Sequence, residues 1–466
     1  MSSRHKMPKV TVYIPTYNYG EYVEKAIQSV LNQTIEDWEL IVINDGSMDN
    51  TSEILRNYES HSKIRIIEQE NKGLTVSNNI ALRLSEGKYV MRLDADDYLD
   101  ENAILVLSNI MDGNPEVGLV YPDYYIVDED GEILEIVRRK KIGEEVELLD
   151  LPAHGACTMF RKECLIRISG YEESIDRQDG YDIWLKFNRL FKPSNVNVPL
   201  FYYRQHRGNL TRDQQKLLRT RKAIKRDFVT KYLNQSIPRV VGIIPVLKKS
   251  LAFPHSPFEE LAGKPLLWYT VHEALQAKVL DKVVITSDDD EVLDYAKEFD
   301  GIIAIKRPPE LTKSSSKVQS VVSHALNVLG EEHDIHSPDA VMVLYANAPL
   351  RRALHIEEAI NTMAIFDVDS VVSVCEELTH FYTHDQNGLT PLWSKTDIRI
   401  ERESIYKQNG AILLSKVDAI TEKDLLGKRV GHIMMLPEES IKINTEFEFW
   451  MAEKIISDWD DGERAK

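Results

Sequence analysis

The sequence predicts an α/β protein made of two tandem Rossmann-like nucleotide-binding domains. Apolar runs of strand length alternate with stretches of helical periodicity across short polar connections, the pattern of a parallel sheet covered by helices. That alternation breaks at Asn234-Gln235-Ser236-Ile237-Pro238 and restarts at Arg239-Val240. A chain of 466 residues is also too long for one ordinary core. The expected domains are residues 1–211, a basic helix and linker at 212–238, and residues 239–466.

In the first half, Val10 to Ile14 reads as a buried strand ending in Pro15-Thr16-Tyr17-Asn18. Tyr22 to Leu31 carries apolar residues at helical spacing after a turn at Gly20. Trp38 to Ile43 is the next strand and closes on Asn44-Asp45-Gly46-Ser47. Asn50, with Glu53 three residues on, predicts a capping box opening a helix through Tyr58. Ile64 to Ile67 is strand, Leu74 to Leu84 helix and Tyr89 to Leu93 strand. Polar clusters at Thr16–Asn18, Asp45–Ser47 and Asp94–Asp97 therefore converge on one sheet edge, the expected wall of a nucleotide site.

Asp94-Ala95-Asp96-Asp97 is the densest of these clusters. Acidic residues are poor strand formers, so the strand ends here and presents them at its carboxyl edge. Asp94 and Asp96, one small residue apart, can both reach a divalent cation that also grips two phosphates. The alternative is a solvated acidic turn capping the helix that begins near Glu101.

Composition narrows the classes. A formal charge of -18 argues against general nucleic-acid binding, which needs clustered cations. No apolar run approaches a membrane span, and Met1 to Lys9 lacks the apolar core of a signal peptide. Three cysteines, Cys157, Cys164 and Cys375, suggest neither a disulfide framework nor a zinc site, and point to a reduced cytoplasm.

Ile14 to Asn18, Asn44 to Ser47 with Asp49 and Thr51, Asn71-Lys72-Gly73 and Leu93 to Asp97 together resemble the ordered motifs of family 2 glycosyltransferases, over Lys9 to about Thr211. The resemblance implies a GT-A fold and an inverting transfer from a nucleotide-sugar donor to a glycan or lipid-linked acceptor. It implies that Pro15, Thr16, Asn18 and Asp45 face the nucleotide, and that Asp94 and Asp96 hold Mn2+ or Mg2+ and the diphosphate. Many members carry arginine where this chain has Asn78.

A transferase needs a base for the acceptor hydroxyl. Arg177 to Trp184 is similar to the family's acidic catalytic motif and implies Asp179 as base, with Asp182 as the alternative. Both carboxylates could instead merely favour the positive end of the helix. His154 falls where the family contacts acceptor, and His206 where it completes the metal or phosphate site; an exposed loop histidine is the other reading of His206. Lys216, Arg219, Arg221, Lys222, Lys225 and Arg226 make the next helix cation-rich. That is either a solvated face or peripheral contact with the inner face of an anionic membrane.

The second half repeats the pattern: a strand to Pro245, a helix from Pro265 to about Ala277, strand Lys282 to Thr286, helix Val292 to Glu298, strand Ile302 to Ile305, helix Lys317 to Leu329 and strand Ala340 to Leu344. Gly242 to Pro245, Leu261 to Leu266, Thr286 to Asp289, Arg307 to Leu311, Ala348 to Arg351 and Asn409 to Ile412 resemble the cytidylyltransferases that activate sialic-type acidic sugars. By that likeness Arg351 and Asn409 face sugar or nucleotide, and Lys248, Lys249 and Ser250 lie in the phosphate loop, where CTP or a CMP-sugar would bind. Leu247, Leu251, Ser256 and Pro257 replace that loop's polar positions, and Lys442-Ile443-Asn444 stands where the family has two magnesium carboxylates. The second domain is therefore expected to be degenerate. The alternatives are a bifunctional enzyme making a CMP-activated acidic sugar and a binding or assembly module, which could also mediate oligomer formation.

Overall fold

The computed structural model describes residues 7–175, 177–206, 214–247, 256–312, 316–336, 338–377, 381–384, 388–391 and 405–460. The chain divides into two compact units, Met1–Ile224 with His380–Glu403, and Lys225–Thr379 with Ser404–Lys466.

The first unit opens with β1 (Val10–Thr16), α1 (Val23–Leu31), β2 (Trp38–Asp45), α2 (Thr51–Arg56), β3 (Ile64–Gln69), α3 (Leu74–Leu84) and β4 (Tyr89–Arg92). There follow β5 (Tyr98–Leu99), α4 (Ala103–Gly113), β6 (Val117–Val127), β7 (Ile133–Val137), β8 (Met159–Arg161), α5 (Lys162–Arg167), α6 (Asp179–Asn188), β9 (Lys192–Arg204) and α7 (Gln214–Tyr232), which is assigned to the first unit up to Ile224 and to the second from Lys225. The sheet order is β3-β2-β1-β4-β8-β6-β9-β5, with β7 beside β6. The first four strands are parallel as expected, but β8 joins β4 antiparallel and the sheet is mixed.

Alternation along β1 explains why both faces are covered. Val10, Val12 and Ile14 pack with Val23, Ile27 and Val30 of α1, whereas Tyr13 points the other way into a core with Ala81, Leu82, Trp184 and Phe187. The capping box does not form: the Asn50 side chain makes no cap bond. Asp49 serves instead, because its Oδ1 accepts from Thr51 N (3.1 Å) and Oγ1 (2.5 Å), and its Oδ2 from Gly20 N (2.9 Å). A carboxylate one residue earlier bonds two loops at once, which an Asn50 cap would not.

The second unit holds β10 (Val240–Val246), β11 (Glu260–Leu261), β12 (Lys264–Pro265), α8 (Leu266–Gln276), β13 (Leu280–Ser287), α9 (Asp290–Lys297), β14 (Ile302–Lys306), α10 (Val318–His333), β15 (Ala340–Val343) and α11 (Ala353–Phe366). It continues with β16 (Ser370–Glu377), β19 (Ile405–Lys416), β20 (Val430–Met434) and α12 (Glu446–Asp460), whereas β17 (Tyr382–His384) and β18 (Leu389–Pro391), which pair as a separate ribbon, belong to the first unit. The main sheet runs β14-β13-β10-β15-β19-β16-β20, parallel through its first four strands, with β19 antiparallel to both neighbours. Val241, Ile243, Val341 and Val343 pack on Val322, Ala325 and Leu329 of α10.

Candidate functional site

Parallel pairing brings the polar strand ends together. Thr16 lies beside Asn44, and Tyr13 beside Arg92, so β1, β2 and β4 finish at one edge. There a cavity of about 1020 Å³ opens, lined by Pro15, Thr16, Asn18, Asp45, Asp94, Asp96, His154, Asp179 and His206 among others. Nine residues chosen from scattered sequence positions thus share one cavity.

The donor-side loops are tied to one another. Asp45 accepts from Gln69 Nε2 (2.6 Å), Lys72 N (2.8 Å) and Gly73 N (2.8 Å), which holds the 71–73 loop against the end of β2. Gly46 makes that approach feasible, since its φ is +75° and a Cβ there would lie 2.7 Å from Asn71 N. Asn18 Oδ1 accepts from Met48 N at 2.8 Å, and Asn18 N donates to Ser47 Oγ at 2.9 Å.

His206 follows β9 and is buried, so it is not an exposed loop residue. Its Nε2 lies 2.9 Å from Asp96 Oδ2, and its ring stacks on Tyr22 with centroids 5.3 Å apart. Burial, with Asp94 beside it, raises the Asp96 carboxyl above its ordinary range. Asp97 is raised further by burial and by Asp96, while its Oδ1 accepts from Arg204 N at 2.9 Å. Crowded acids of this kind are relieved by a cation.

A hard divalent cation suits carboxylate and imidazole donors. Asp96 and His206 supply two such groups side by side. Asp94 is turned onto Arg92 (Nε to Oδ1, 2.8 Å), and among the described residues no three such groups gather around one point. The donor set fits an ion whose remaining positions are filled by substrate phosphates and water.

Asp179 is the first residue of α6 and is buried. Its Oδ2 accepts from Arg92 Nη1 (2.5 Å) and Asn78 Nδ2 (3.1 Å), so both of these bonds fall on one oxygen. Asp182 pairs with Lys186 at 2.5 Å and is not part of the cavity lining. Arg92 and Asn78 were not assigned roles from sequence. Arg92 carried a signal, because a charge inside an apolar strand must find a partner. His154 Nδ1 accepts from Ala156 N at 3.2 Å, which leaves the proton of a neutral ring on Nε2. Burial pushes that imidazole down to about 4.

The basic helix is not one uniform face. In the first unit Arg221 lines the cavity and donates from Nε to Gln178 Oε1 at 2.8 Å. In the second unit Lys225 is buried, 3.0 Å from Glu358 Oε1 and 3.1 Å from Thr362 Oγ1.

Also in the second unit, Lys248, Lys249 and Ser250 lie outside the described residues. Arg351 is buried and donates from Nη1 to the carbonyls of Ala411 (2.8 Å) and Tyr345 (3.3 Å); burial pushes it down to about 10. Asn409 is buried too, its Oδ1 accepting from Ser373 Oγ (2.5 Å) and its Nδ2 donating to Ser440 Oγ (2.9 Å). Lys442 Nζ reaches 3.1 Å from where a Cβ on Gly410 would stand, and Asn444 Oδ1 accepts from Asn347 Nδ2 at 3.3 Å.

The chain is thus an α/β protein with an acidic cavity at the carboxyl ends of its parallel strands. Residues 11–169 match the model of glycosyl transferase family 2, and residues 241–439 that of the cytidylyltransferases. An uncharacterised glycosyltransferase of Rickettsia typhi is 30% identical over 245 residues, 50% of this chain and 76% of that protein. The chain belongs, through its first half, to the family 2 glycosyltransferases, and carries a cytidylyltransferase-family domain in its second. Chondroitin synthase of Escherichia coli is 31% identical over 193 residues, 41% of this chain, which spans only 28% of that synthase's length. The structure of S. aureus TarS residues 1–349 with UDP-GlcNAc aligns at 18% identity and a TM-score of 0.41, over 47% of this chain and 66% of that one. Overlap that low carries no functional inference.

Proposed function

We propose that this chain is a metal-dependent inverting glycosyltransferase that moves a sugar from a nucleotide-sugar donor to a glycan or lipid-linked acceptor. One observation carries the reading: the Asp96–His206 pair, the Asp45 loop and Asp179 all line a single cavity. Asp45, Thr16 and Asn18 form the nucleotide end. Asp96 and His206, with Asp94 once it leaves Arg92, hold Mn2+ or Mg2+. That ion, when bound, neutralises the leaving diphosphate. Asp179 takes the acceptor proton at Oδ1, while Arg92 and Asn78 fix the carboxylate through Oδ2. His154 offers an Nε2–H to a sugar oxygen. The site works at the inner face of a membrane if its acceptor is lipid-linked; among the described residues no helix is long and apolar enough to cross one.

The second unit, on this reading, does not turn over CTP. An ammonium at Lys442 near a metal position repels a cation by about 4 kcal/mol per unit charge product at an effective dielectric of 20. The test of the main reading is a panel of UDP-, GDP-, dTDP- and CMP-sugars with Mn2+ or Mg2+, with donor consumption followed by mass spectrometry. Consumption of one nucleotide class that stops on chelation is expected; undiminished consumption in excess chelator overturns the reading.

A further inference from the structure

We propose that Arg92 is a positioning residue that links the metal end of the cavity to the base: Asp94 and Asp179 share its guanidinium, and a cation that draws Asp94 away leaves Arg92 to Asp179 alone. The inference rests on the reading of this cavity as a metal-dependent transferase site and adds the order in which that site is assembled.

Arg92 closes β4 and is buried, and a guanidinium does not give up its charge, so it must be paired where it stands. Its Nη1 donates to Asp179 Oδ2 at 2.5 Å. On its other edge Nε lies 2.8 Å from Asp94 Oδ1 and Nη2 lies 3.4 Å from Asp94 Oδ2. Gly155 closes the space on the Nη2 side, where a Cβ would stand 2.2 Å away, so the guanidinium stays put and its partners are what can move.

The two holds are unequal. The Asp179 side chain is 8% exposed, and Asn78 Nδ2 donates to the same Oδ2 at 3.1 Å. The Asp94 side chain is 28% exposed, and Arg92 Nε makes no directed hydrogen bond to it. Asp94 also stands two residues before Asp96, whose Oδ2 lies 2.9 Å from His206 Nε2. A cation at that end therefore competes with Arg92 for Asp94 and not for Asp179. With both carboxylates ionised, one guanidinium faces two negative charges; once Asp94 turns to the cation, Arg92 and Asp179 are left as a one-to-one pair. The base is then held on Arg92 alone only after the ion is in place. By the reciprocity of linked equilibria, the Arg92–Asp179 pair must in turn favour the ion.

The test is calorimetric titration of the full chain with Mn2+, in the presence of UDP, GDP, dTDP and CMP in turn. Asp179→Asn should weaken Mn2+ binding about tenfold, because Arg92 then falls back on Asp94. In an Arg92→Gln background the same change should have little effect, whereas Arg92→Lys, which keeps the charge, should keep part of it. Equal Mn2+ affinity of the unaltered chain and Asp179→Asn overturns the inference. So does a weakening that persists in Arg92→Gln, which would mean that Asp179 attracts the ion directly. A second readout needs neither the ion nor an Arg92 variant: the double-mutant cycle of Asp94→Asn and Asp179→Asn in denaturant. Either change alone leaves Arg92 one carboxylate, and both together leave a buried charge with none. The combined fall in the unfolding midpoint should therefore exceed the sum of the single falls, and additive falls overturn the sharing. No Mn2+ uptake by the unaltered chain with any of the four nucleotides would remove the metal-dependent reading and the coupling with it; uptake without coupling would remove the coupling alone.

Discussion

Asp179 and Asp182 are three residues apart on one helix, yet their surroundings give them different work. Asp179 lines the cavity with Oδ2 taken by Arg92 and Asn78; Asp182 closes on Lys186. Asp179→Asn is expected to lower turnover by about 10²–10⁴-fold with nucleotide affinity near that of the unaltered chain. Asp182→Asn should cost stability and little turnover, and steady-state kinetics on the two variants separates the roles. If Asp182→Asn proves the dead variant, Asp179 is not the base. Asp96→Ala should cost about 10²-fold or more in metal-stimulated donor consumption, because the diphosphate loses its charge partner.

His154 supplies a pH signature. Burial holds its imidazole at about 4 against an ordinary 6.5. Between those values the unfolded chain binds a proton that the folded chain refuses. The stability due to the neutral ring is therefore full above about pH 6.5 and is lost as pH falls toward 4, by at most about 3 kcal/mol. Denaturant unfolding of His154→Gln should show a flatter pH dependence across that window; an unchanged slope would mean that the ring titrates normally.

At the scale of elements, loops decide the site. The segment before β8 carries Gly155, where a Cβ would stand 2.2 Å from Arg92 Nη2. Gly155→Ala must displace Arg92, and with it the anchor of Asp179 and Asp94. A stability loss of about 1–3 kcal/mol is expected, with a larger proportional fall in turnover than in nucleotide affinity. Crystallography or a double-mutant cycle with Arg92→Lys would check the route. Asp49→Ala, at the turn into α2, should cost about 1 kcal/mol by freeing Thr51 and Gly20 together.

For the whole molecule, the question is why a glycosyltransferase chain carries a cytidylyltransferase-family domain with Lys442 and Asn444 where the family resemblance implies carboxylates. With CTP, Mg2+ and a panel of sialic-type acids, the full chain should release pyrophosphate far below about 1 per second. Release at or above that rate would promote a bifunctional enzyme. Lys442→Asp with Asn444→Asp should restore Mg2+ binding, read by calorimetry, if the metal site alone has decayed.

The βα alternation, the restart at Arg239-Val240 and the three polar strand ends were legible from sequence, because strand and helix periodicities are local and parallel pairing aligns carboxyl ends. Local patterning did not show that β8 joins β4 antiparallel and makes the first sheet mixed, since the partner of β4 on that side depends on which strand is left unpaired. It misassigned the cap at Asn50, because the Asp49 carboxylate bonds Gly20, which lies 29 residues away. The pairing of Arg92 with Asp179, 87 residues apart, and the entry of Arg221 into the cavity were likewise decided by packing. Sequence by itself determined which residue types reach the sheet edge. Tertiary structure decided which charges meet there, because a buried charge is settled by whatever partner the fold brings within hydrogen-bonding distance.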